Sequence, residues 1–122
     1  MDMVKTLLMI GAGGFLGAIF RYQVSVIFSK WNIYAIPTGT YIINVLGSLA
    51  LGFIYGANYF SEEQLNFLSI GFLGAFTTFS TFNYELLQLK KENKSIQFFL
   101  YGTSMYVSNL AAAFLGYSWG NS

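Results

Sequence analysis

Four long apolar stretches fill most of this 122-residue chain, and they constrain its fold more than any other feature of the sequence. A helix needs about 20 mainly apolar residues to cross a bilayer, and each stretch meets that length. Short polar breaks separate them, so consecutive helices are expected to run antiparallel. Ser61, with Glu63 and Gln64 after it, is typical of a helix start. The sequence predicts an all-α membrane protein, one domain with transmembrane helices at residues 4–28, 37–59, 65–89 and 96–119.

The composition indicates that lipid surrounds much of this protein. Charged residues make up only 9% of the sequence and hydrophobic residues 55%, whereas average usage of charged residues is about 25%. Cysteine and histidine are both absent, which excludes disulfides, thiolate metal sites and the commonest general base. The net charge of +1 suggests no nucleic acid or other polyanion as a partner. Because the sequence offers no nucleophile–base pair and no metal-binding cluster, we expect a protein that is not an enzyme.

The residues that flank the spans predict how the chain is inserted. A lysine precedes the first apolar run, as in a secretory signal, but Arg21 follows without a polar mature domain, so we expect this span to be retained. Four spans place both termini on one side, together with Lys5. The other side carries more lysines, namely Lys30, Lys90, Lys91 and Lys94. The positive-inside rule therefore favours these lysines in the cytoplasm and both termini outside.

Small residues recur at four-residue steps within the spans. Gly13 and Gly17 follow this spacing in the first span, and Ser48, Gly52 and Gly56 follow it in the second. Such spacing allows helix backbones to approach closely, and packing of this kind holds helices together in lipid. We therefore expect these glycines to lie at helix–helix contacts.

Two polar groups within the spans need partners. Arg21 either faces the protein interior or water, or snorkels to the interface from the last third of its span. Asn44 lies about two turns into the second span, with Thr40 on the same helical face. An amide in hydrocarbon needs a partner, so Asn44 is expected to bond to another helix or to line a water-filled path.

The segment GFLGAFTTFSTF at residues 71–82 combines hydroxyls with phenyl rings. Its phenylalanines Phe76, Phe79 and Phe82 are three residues apart, which predicts neighbours along one helical face. Gly74 and the threonines after it weaken helix propensity, and hydroxyls compete for backbone carbonyls. We therefore predict a break in the third helix, which at membrane depth is tolerated only beside a cavity or within protein.

The chemistry of this segment favours an anion. Hydroxyls and the Asn44 amide are hydrogen-bond donors, and phenyl rings carry a positive edge. Backbone carbonyls freed by a helix break are, in contrast, ligands for hard cations. The segment itself contains no acid, so its donors and ring edges suit a small, strongly hydrated anion. The alternative is that the phenylalanines only fill the core or face lipid.

Three blocks in order, GGFLGAIFRY (13–22), GTYIINVLGSLALG (39–52) and GFLGAFTTFSTFNYE (71–85), carry a resemblance to a known family. Over nearly its whole length the chain resembles the CrcB/Fluc family of bacterial fluoride channels. The resemblance implies a fluoride-selective channel in the bacterial cytoplasmic membrane that lets fluoride leave the cell passively. It also implies an antiparallel, dual-topology dimer of four-helix subunits, with two fluoride pathways along the dimer interface.

The resemblance assigns roles to individual residues. Phe79 and Phe82 would present ring edges to fluoride, and Asn44 would donate its amide to the ion. The carbonyls of Gly74 and Thr77, with those of the second subunit, would hold one central structural Na⁺. Arg21 would lie near a vestibule and Glu85 near the pore entrance. The remaining polar residues expected along the pathway are Thr40, Ser80, Thr81, Tyr101, Ser104 and Ser108.

The fourth helix and the partner chain leave alternatives open. The family's fourth-helix tyrosine aligns with Tyr101, but Met105 and Asn109 then follow at four-residue steps, and Met105 is a poor substitute for a hydroxyl. Ser104 and Ser108 are also four apart and supply hydroxyls. The lysine bias fits dual insertion poorly, which makes a paired heterodimer the alternative to the expected homodimer. The homodimer is favoured because the chain retains all of the pore motifs.

Two other functions would give a chain of this kind. A small dual-topology multidrug transporter needs an embedded acid, and only Glu85 comes near. An accessory membrane subunit would tolerate changes at Phe79, Phe82 and Asn44. The stretch GAGGFLG lacks the preceding strand and the following lysine of a nucleotide site, so we expect no ATP-driven transport.

Overall fold

A computed structural model describes residues 2–31 and 36–122, and the regular elements within these ranges are helices. Four of the described helices are long and apolar enough to cross a membrane: α1 (Met3–Phe28), α2 (Thr38–Ala57), a third span (Glu62–Lys91) and a fourth (Ser95–Gly120). The prediction of an all-α protein with four spans is therefore confirmed. Residues 32–35 of the first polar connection lie outside the described residues.

The third span is built from several pieces. It begins with α3 (Glu62–Leu65), continues as a π-helical segment (Asn66–Leu73) and a short α4 (Gly74–Phe76), and resumes as α5 (Ser80–Lys91). The last span is the single helix α6 (Ser95–Gly120). Ser61 and Gln64 form a reciprocal capping box at the start of α3, as the sequence predicts for a helix start.

The predicted break in the third helix is confirmed and lies between α4 and α5. Thr77 leaves helical geometry with φ −76° and ψ 155°, an extended conformation. The break divides the buried apolar residues into two clusters, because Phe76 packs with Ile43 of α2 whereas Phe82 packs with Tyr101 of α6. The expectation that Phe76, Phe79 and Phe82 share one face is therefore wrong for Phe76, since the break interrupts the helical period after it, whereas Phe79 and Phe82 remain neighbours at 5.8 Å.

Glycines hold the helices in two closely packed groups. A Cβ at Gly13 or Gly17 of α1 would overlap the backbone of Phe67 or Phe72 in the π-helical segment. A Cβ at Gly52 of α2 would likewise overlap the backbone of Ala113 in α6. These contacts confirm the expected role of the glycines, which is to let two helix backbones meet without a side chain between them.

The two ends of the bundle differ in charge. At the end that carries both termini, Lys5 of α1 pairs with Glu63 of α3 at 3.0 Å. The opposite end carries Lys30 after α1, Lys90 and Lys91 at the end of α5, and Lys94, which pairs with Glu92 at 3.1 Å. The lysine asymmetry read from the sequence thus corresponds to the two ends of the folded bundle.

Candidate functional site

The amide of Asn44 binds the backbone at the helix break. Its Nδ2 donates to the carbonyl of Thr78 at 2.9 Å, and its Oδ1 accepts the Thr78 N–H at 2.9 Å. Asn44 is only 7% exposed, so these bonds satisfy backbone groups that would otherwise be buried without partners. The amide thus bonds to the non-helical backbone of the third span, and it also lines a cavity described below. Because an amide carries two N–H donors, the second remains for another acceptor.

Hydrogen bonds to side chains at the break free two backbone carbonyls. In an uninterrupted helix the N–H groups of Thr78 and Thr81 would donate to the carbonyls of Gly74 and Thr77. Here the Thr78 N–H donates to Asn44 at 2.9 Å, and the Thr81 N–H donates to the Thr78 hydroxyl oxygen at 3.3 Å. Gly74 and Thr77 are the residues predicted to hold Na⁺, and carbonyl oxygens released in this way have the chemistry that a hard cation needs.

A cavity of about 330 Å³ lies beside the break, between α2, the third span and α6. It contains several predicted site residues, including Asn44, Phe79 and Phe82. No lining residue is charged, and the polar groups are amides, hydroxyls and backbone. The lining residues contributed by α6 are Met105, Tyr106 and Asn109.

The two predicted phenylalanines stand at this cavity with different exposure. Phe82 is 1% exposed, whereas Phe79 is 58% exposed on the surface of the chain. Their ring centroids are 5.8 Å apart with an interplanar angle of 80°, so one ring meets the other edge-on. Phe82 also meets the ring of Tyr101 edge-on, at 5.1 Å and 78°. Neighbouring aromatic rings therefore help to fix the orientation of Phe82.

Two predicted residues, Thr40 of α2 and Tyr101 of α6, meet at the carboxylate of a third, Glu85 of α5. The Thr40 hydroxyl donates to one carboxylate oxygen at 3.0 Å, and the Tyr101 hydroxyl donates to the other at 2.8 Å. The Tyr101 side chain is fully buried. Because both hydroxyls donate to the same side chain, this network links α2, α5 and α6.

The serines of α6 face a tyrosine that the sequence analysis does not identify. Tyr41 of α2 donates its hydroxyl to the Ser104 carbonyl at 3.1 Å and shares a hydrogen bond with the Ser108 hydroxyl. Neither serine is among the residues that line the cavity. Tyr41 follows Thr40 directly, and a tyrosine hydroxyl inside a predicted span is a polar group that needs a partner, which is the signal that could have identified it.

The remaining predicted residues are exposed or half-buried in the single chain. Ser80 and Thr81 are exposed at the start of α5, beside the break. Thr81 accepts a hydrogen bond from the Thr78 hydroxyl at 3.1 Å. Arg21 is half-buried on α1, and within residues 2–31 and 36–122 it forms no ion pair. The structure thus places five predicted residues at the cavity beside the break, and Ser80 and Thr81 adjoin it in sequence. The other predicted residues do not line the cavity: Thr40, Glu85, Tyr101, Ser104, Ser108 and Arg21.

Comparison with known proteins covers nearly the whole chain. Residues 8–117 match the model of the family described as "CrcB-like protein, Camphor Resistance (CrcB)". This range includes every residue to which the sequence analysis assigns a role in the site.

Individual relatives are similar over most of their own length. "Fluoride-specific ion channel FluC 2" of Bacillus cereus is 42% identical over 109 residues, covering 89% of this chain and 92% of the relative. "Fluoride-specific ion channel FluC" of Methanococcus aeolicus is 46% identical over 99 residues, covering 78% of each chain. A protein of the same name from Campylobacter jejuni is 41% identical over 120 residues, covering 94% of this chain and 97% of the relative.

Proposed function

This chain belongs to the CrcB-like family, and from that membership and the site geometry we propose that it is a fluoride-selective ion channel. The relatives are named as fluoride-specific ion channels. The observation that carries the proposal is the uncharged cavity beside the helix break, where phenyl edges and amide and hydroxyl donors meet. Such groups replace the hydration of a small anion without binding it as tightly as a fixed cation would.

Export through this path needs no energy source other than the membrane potential. Hydrogen fluoride is a neutral weak acid that crosses membranes and dissociates in the less acidic cytoplasm, where the anion is trapped. An inside-negative potential drives a monovalent anion outward by about 2.3 kcal/mol for each 100 mV. A passive channel in the cytoplasmic membrane would therefore protect the cell from fluoride.

The surface around the break supports an antiparallel dimer as the working unit. Gly74, Phe79, Ser80 and Thr81 are exposed near the middle of the third span, at a depth where bare backbone and hydroxyls facing lipid are costly. A second copy inserted in the opposite direction would place the same surface at the same depth. The two copies would then cover each other's break and enclose the cavities.

The central Na⁺ is part of this proposal. The carbonyls of Gly74 and Thr77, released by the break, would hold it together with the same carbonyls of the second copy. When bound, the cation would stabilise the paired breaks, because it would take the place of the N–H donors that the freed carbonyl oxygens have lost.

A multidrug transporter is a weaker interpretation of the same fold. Its cargo would need an embedded carboxylate, and both oxygens of Glu85 already accept hydrogen bonds from Thr40 and Tyr101. The curated relatives are also named as channels.

Purified protein in liposomes loaded with fluoride is expected to release the ion when a potassium ionophore dissipates the charge, whereas chloride-loaded liposomes should not respond. Phe82→Ile removes the buried ring whose edge is proposed to face the path, and we expect fluoride release to slow by about tenfold or more, a barrier increase of roughly 1.4 kcal/mol. Phe114→Ile, at an exposed phenylalanine of α6, is the matched control and should release fluoride at the wild-type rate. Wild-type liposomes that retain fluoride would overturn the proposal, and an unimpaired Phe82→Ile variant would remove Phe82 from the path.

Introduced thiols test whether one chain forms both halves of the dimer. Because the chain lacks cysteine, Ser122→Cys and Ser29→Cys are single reporters for the two ends of the bundle, and both serines are exposed. A homodimer requires both orientations, so a membrane-impermeant thiol reagent should label both variants in intact cells. Labelling of Ser122→Cys alone would indicate the single orientation that the lysines favour. The homodimer would then give way to two related chains of opposite insertion.

A further inference from the structure

Tyr106 occupies an unusual place for a tyrosine in a membrane-spanning helix. It lies near the middle of α6 (Ser95–Gly120) and is 53% exposed. Within the part of the chain that the structure describes, its hydroxyl makes no hydrogen bond. Tyrosines in membrane proteins concentrate at the two interfaces, where the hydroxyl reaches water. A phenol that faced acyl chains at the centre of the bilayer would bury its hydroxyl without a partner, so this side chain is expected to face a protein surface or a hydrated path.

The ring of Tyr106 completes a cluster with the two phenylalanines of the proposed path. Its centroid lies 6.3 Å from that of Phe79 at an interplanar angle of 62°, and 6.0 Å from that of Phe82 at 77°. Since Phe79 and Phe82 also meet edge-on at 5.8 Å, each of the three rings contacts the other two. Within the described residues, Phe79 has ring contacts only with Phe82 and Tyr106. Loss of Tyr106 would therefore remove half of the aromatic contacts that orient the exposed ring.

The same face of α6 carries a second polar group at the cavity. Asn109 follows Tyr106 by three residues, which places both on one side of the helix, and both line the cavity of about 330 Å³. The Oδ1 atom of Asn109 is buried and has no hydrogen-bond partner among the described residues. Two polar side chains at one site thus have unfilled hydrogen-bonding capacity, which an apolar, lipid-filled cavity would not satisfy.

We propose that Tyr106 is a positioning residue of the fluoride path, whose ring holds the edges of Phe79 and Phe82 toward the cavity. This inference rests on the proposed channel function and adds a residue from α6 to it. The ring carries the effect, because it makes both edge-to-face contacts, and the hydroxyl serves to keep this face of α6 toward the path. The role also accounts for the exposure of two aromatic side chains, Phe79 and Tyr106, at the depth where the third span is broken.

Variants at this position separate the ring from the hydroxyl. Tyr106→Leu removes two edge-to-face contacts, and fluoride release from liposomes is expected to slow by about tenfold, with a lower ratio of fluoride to chloride flux. Tyr106→Phe keeps the ring and should stay within about twofold of the wild-type rate. Tyr117→Leu is the matched control, since Tyr117 lies on the same helix at 50% exposure and lies outside the cavity. If Tyr106→Leu does not yield folded protein, Tyr106→Met takes its place.

Two transport results would overturn the inference. Wild-type flux and selectivity in Tyr106→Leu would show that the ring positions nothing, and equal impairment of Tyr106→Phe and Tyr106→Leu would assign the effect to the hydroxyl. Nuclear magnetic resonance of labelled phenylalanine gives a readout that does not depend on transport. The ring resonances of Phe79 and Phe82 should shift in Tyr106→Leu and stay unchanged in Tyr117→Leu. A wild-type protein that carries no fluoride would defeat the channel proposal, whereas unshifted resonances would defeat the positioning role alone.

Discussion

Replacement of Asn44 by leucine is expected to abolish fluoride release and to destabilise the protein. Leucine has a similar size but offers neither donor nor acceptor, so the N–H and the carbonyl of Thr78 lose the two 2.9 Å bonds that satisfy them. Each buried group left without a partner costs about 1–3 kcal/mol, roughly 2–6 kcal/mol together. The chain can recover part of this only if the Thr78 N–H returns to the Gly74 carbonyl, which would close the break.

Closure of the break links this variant to the ion sites. A continuous third helix would take back the carbonyl of Gly74 that is proposed to hold Na⁺, and it would move the ring of Phe79. Fluoride efflux from liposomes and resistance to unfolding in detergent are the two measurements. Leu46→Ala is the control, because Leu46 lies on the same helix at 47% exposure and outside this cavity; it should behave as wild type. An Asn44→Leu protein with normal efflux would show that the break persists without the amide.

The second large effect is expected at Gly17. A Cβ there would overlap the carbonyl of Phe72 in the π-helical segment, so Gly17→Ala must push α1 away from the third span. Overpacking of this kind typically costs about 1–3 kcal/mol, and here the obstacle is backbone, which has no rotamer to adjust. We expect a lower melting temperature in detergent and a lower yield of folded protein.

Gly11 provides a matched control for Gly17 on the same helix. Nothing lies within 4 Å of a Cβ built at Gly11, so Gly11→Ala meets no obstacle. Alanine is favoured over glycine within a helix by roughly 0.8–1.0 kcal/mol, and the variant should be as stable as wild type or slightly more stable. Equal melting temperatures for Gly17→Ala and Gly11→Ala would contradict the close contact between α1 and the π-helical segment.

The parts of the fold that depend on local composition could be predicted from the sequence. Apolar length defines the four spans, and the capping residues Ser61 and Gln64 mark the start of the third. The break could also be predicted, because Gly74 and the threonines after it weaken a helix wherever they occur. Each of these features is decided by residues close together in the chain.

The partners of the polar groups could not be predicted, because they come from distant parts of the chain. Asn44 needs an acceptor and a donor, but sequence alone does not show that Thr78 supplies both. The break also removes the helical period on which the placement of Phe76 depended, so this ring joins Ile43 rather than Phe82. On α6, the hydroxyls of Ser104 and Ser108 suggested a pathway, whereas Tyr106 and Asn109 line the cavity.

The glycine contacts also bear on how the helices of this protein respond to the thickness of the bilayer. They join α1 to the π-helical segment and α2 to α6, which makes two closely packed pairs of helices. The bonds from Asn44 of α2 to Thr78 of the third span connect these two pairs. A membrane protein responds to a bilayer thinner or thicker than its spans by tilting its helices. If each pair of helices stays packed, the tilt is taken up at the contact between the two pairs. We therefore expect membrane thickness to act on this protein at the helix break, the same place where the ion is proposed to pass.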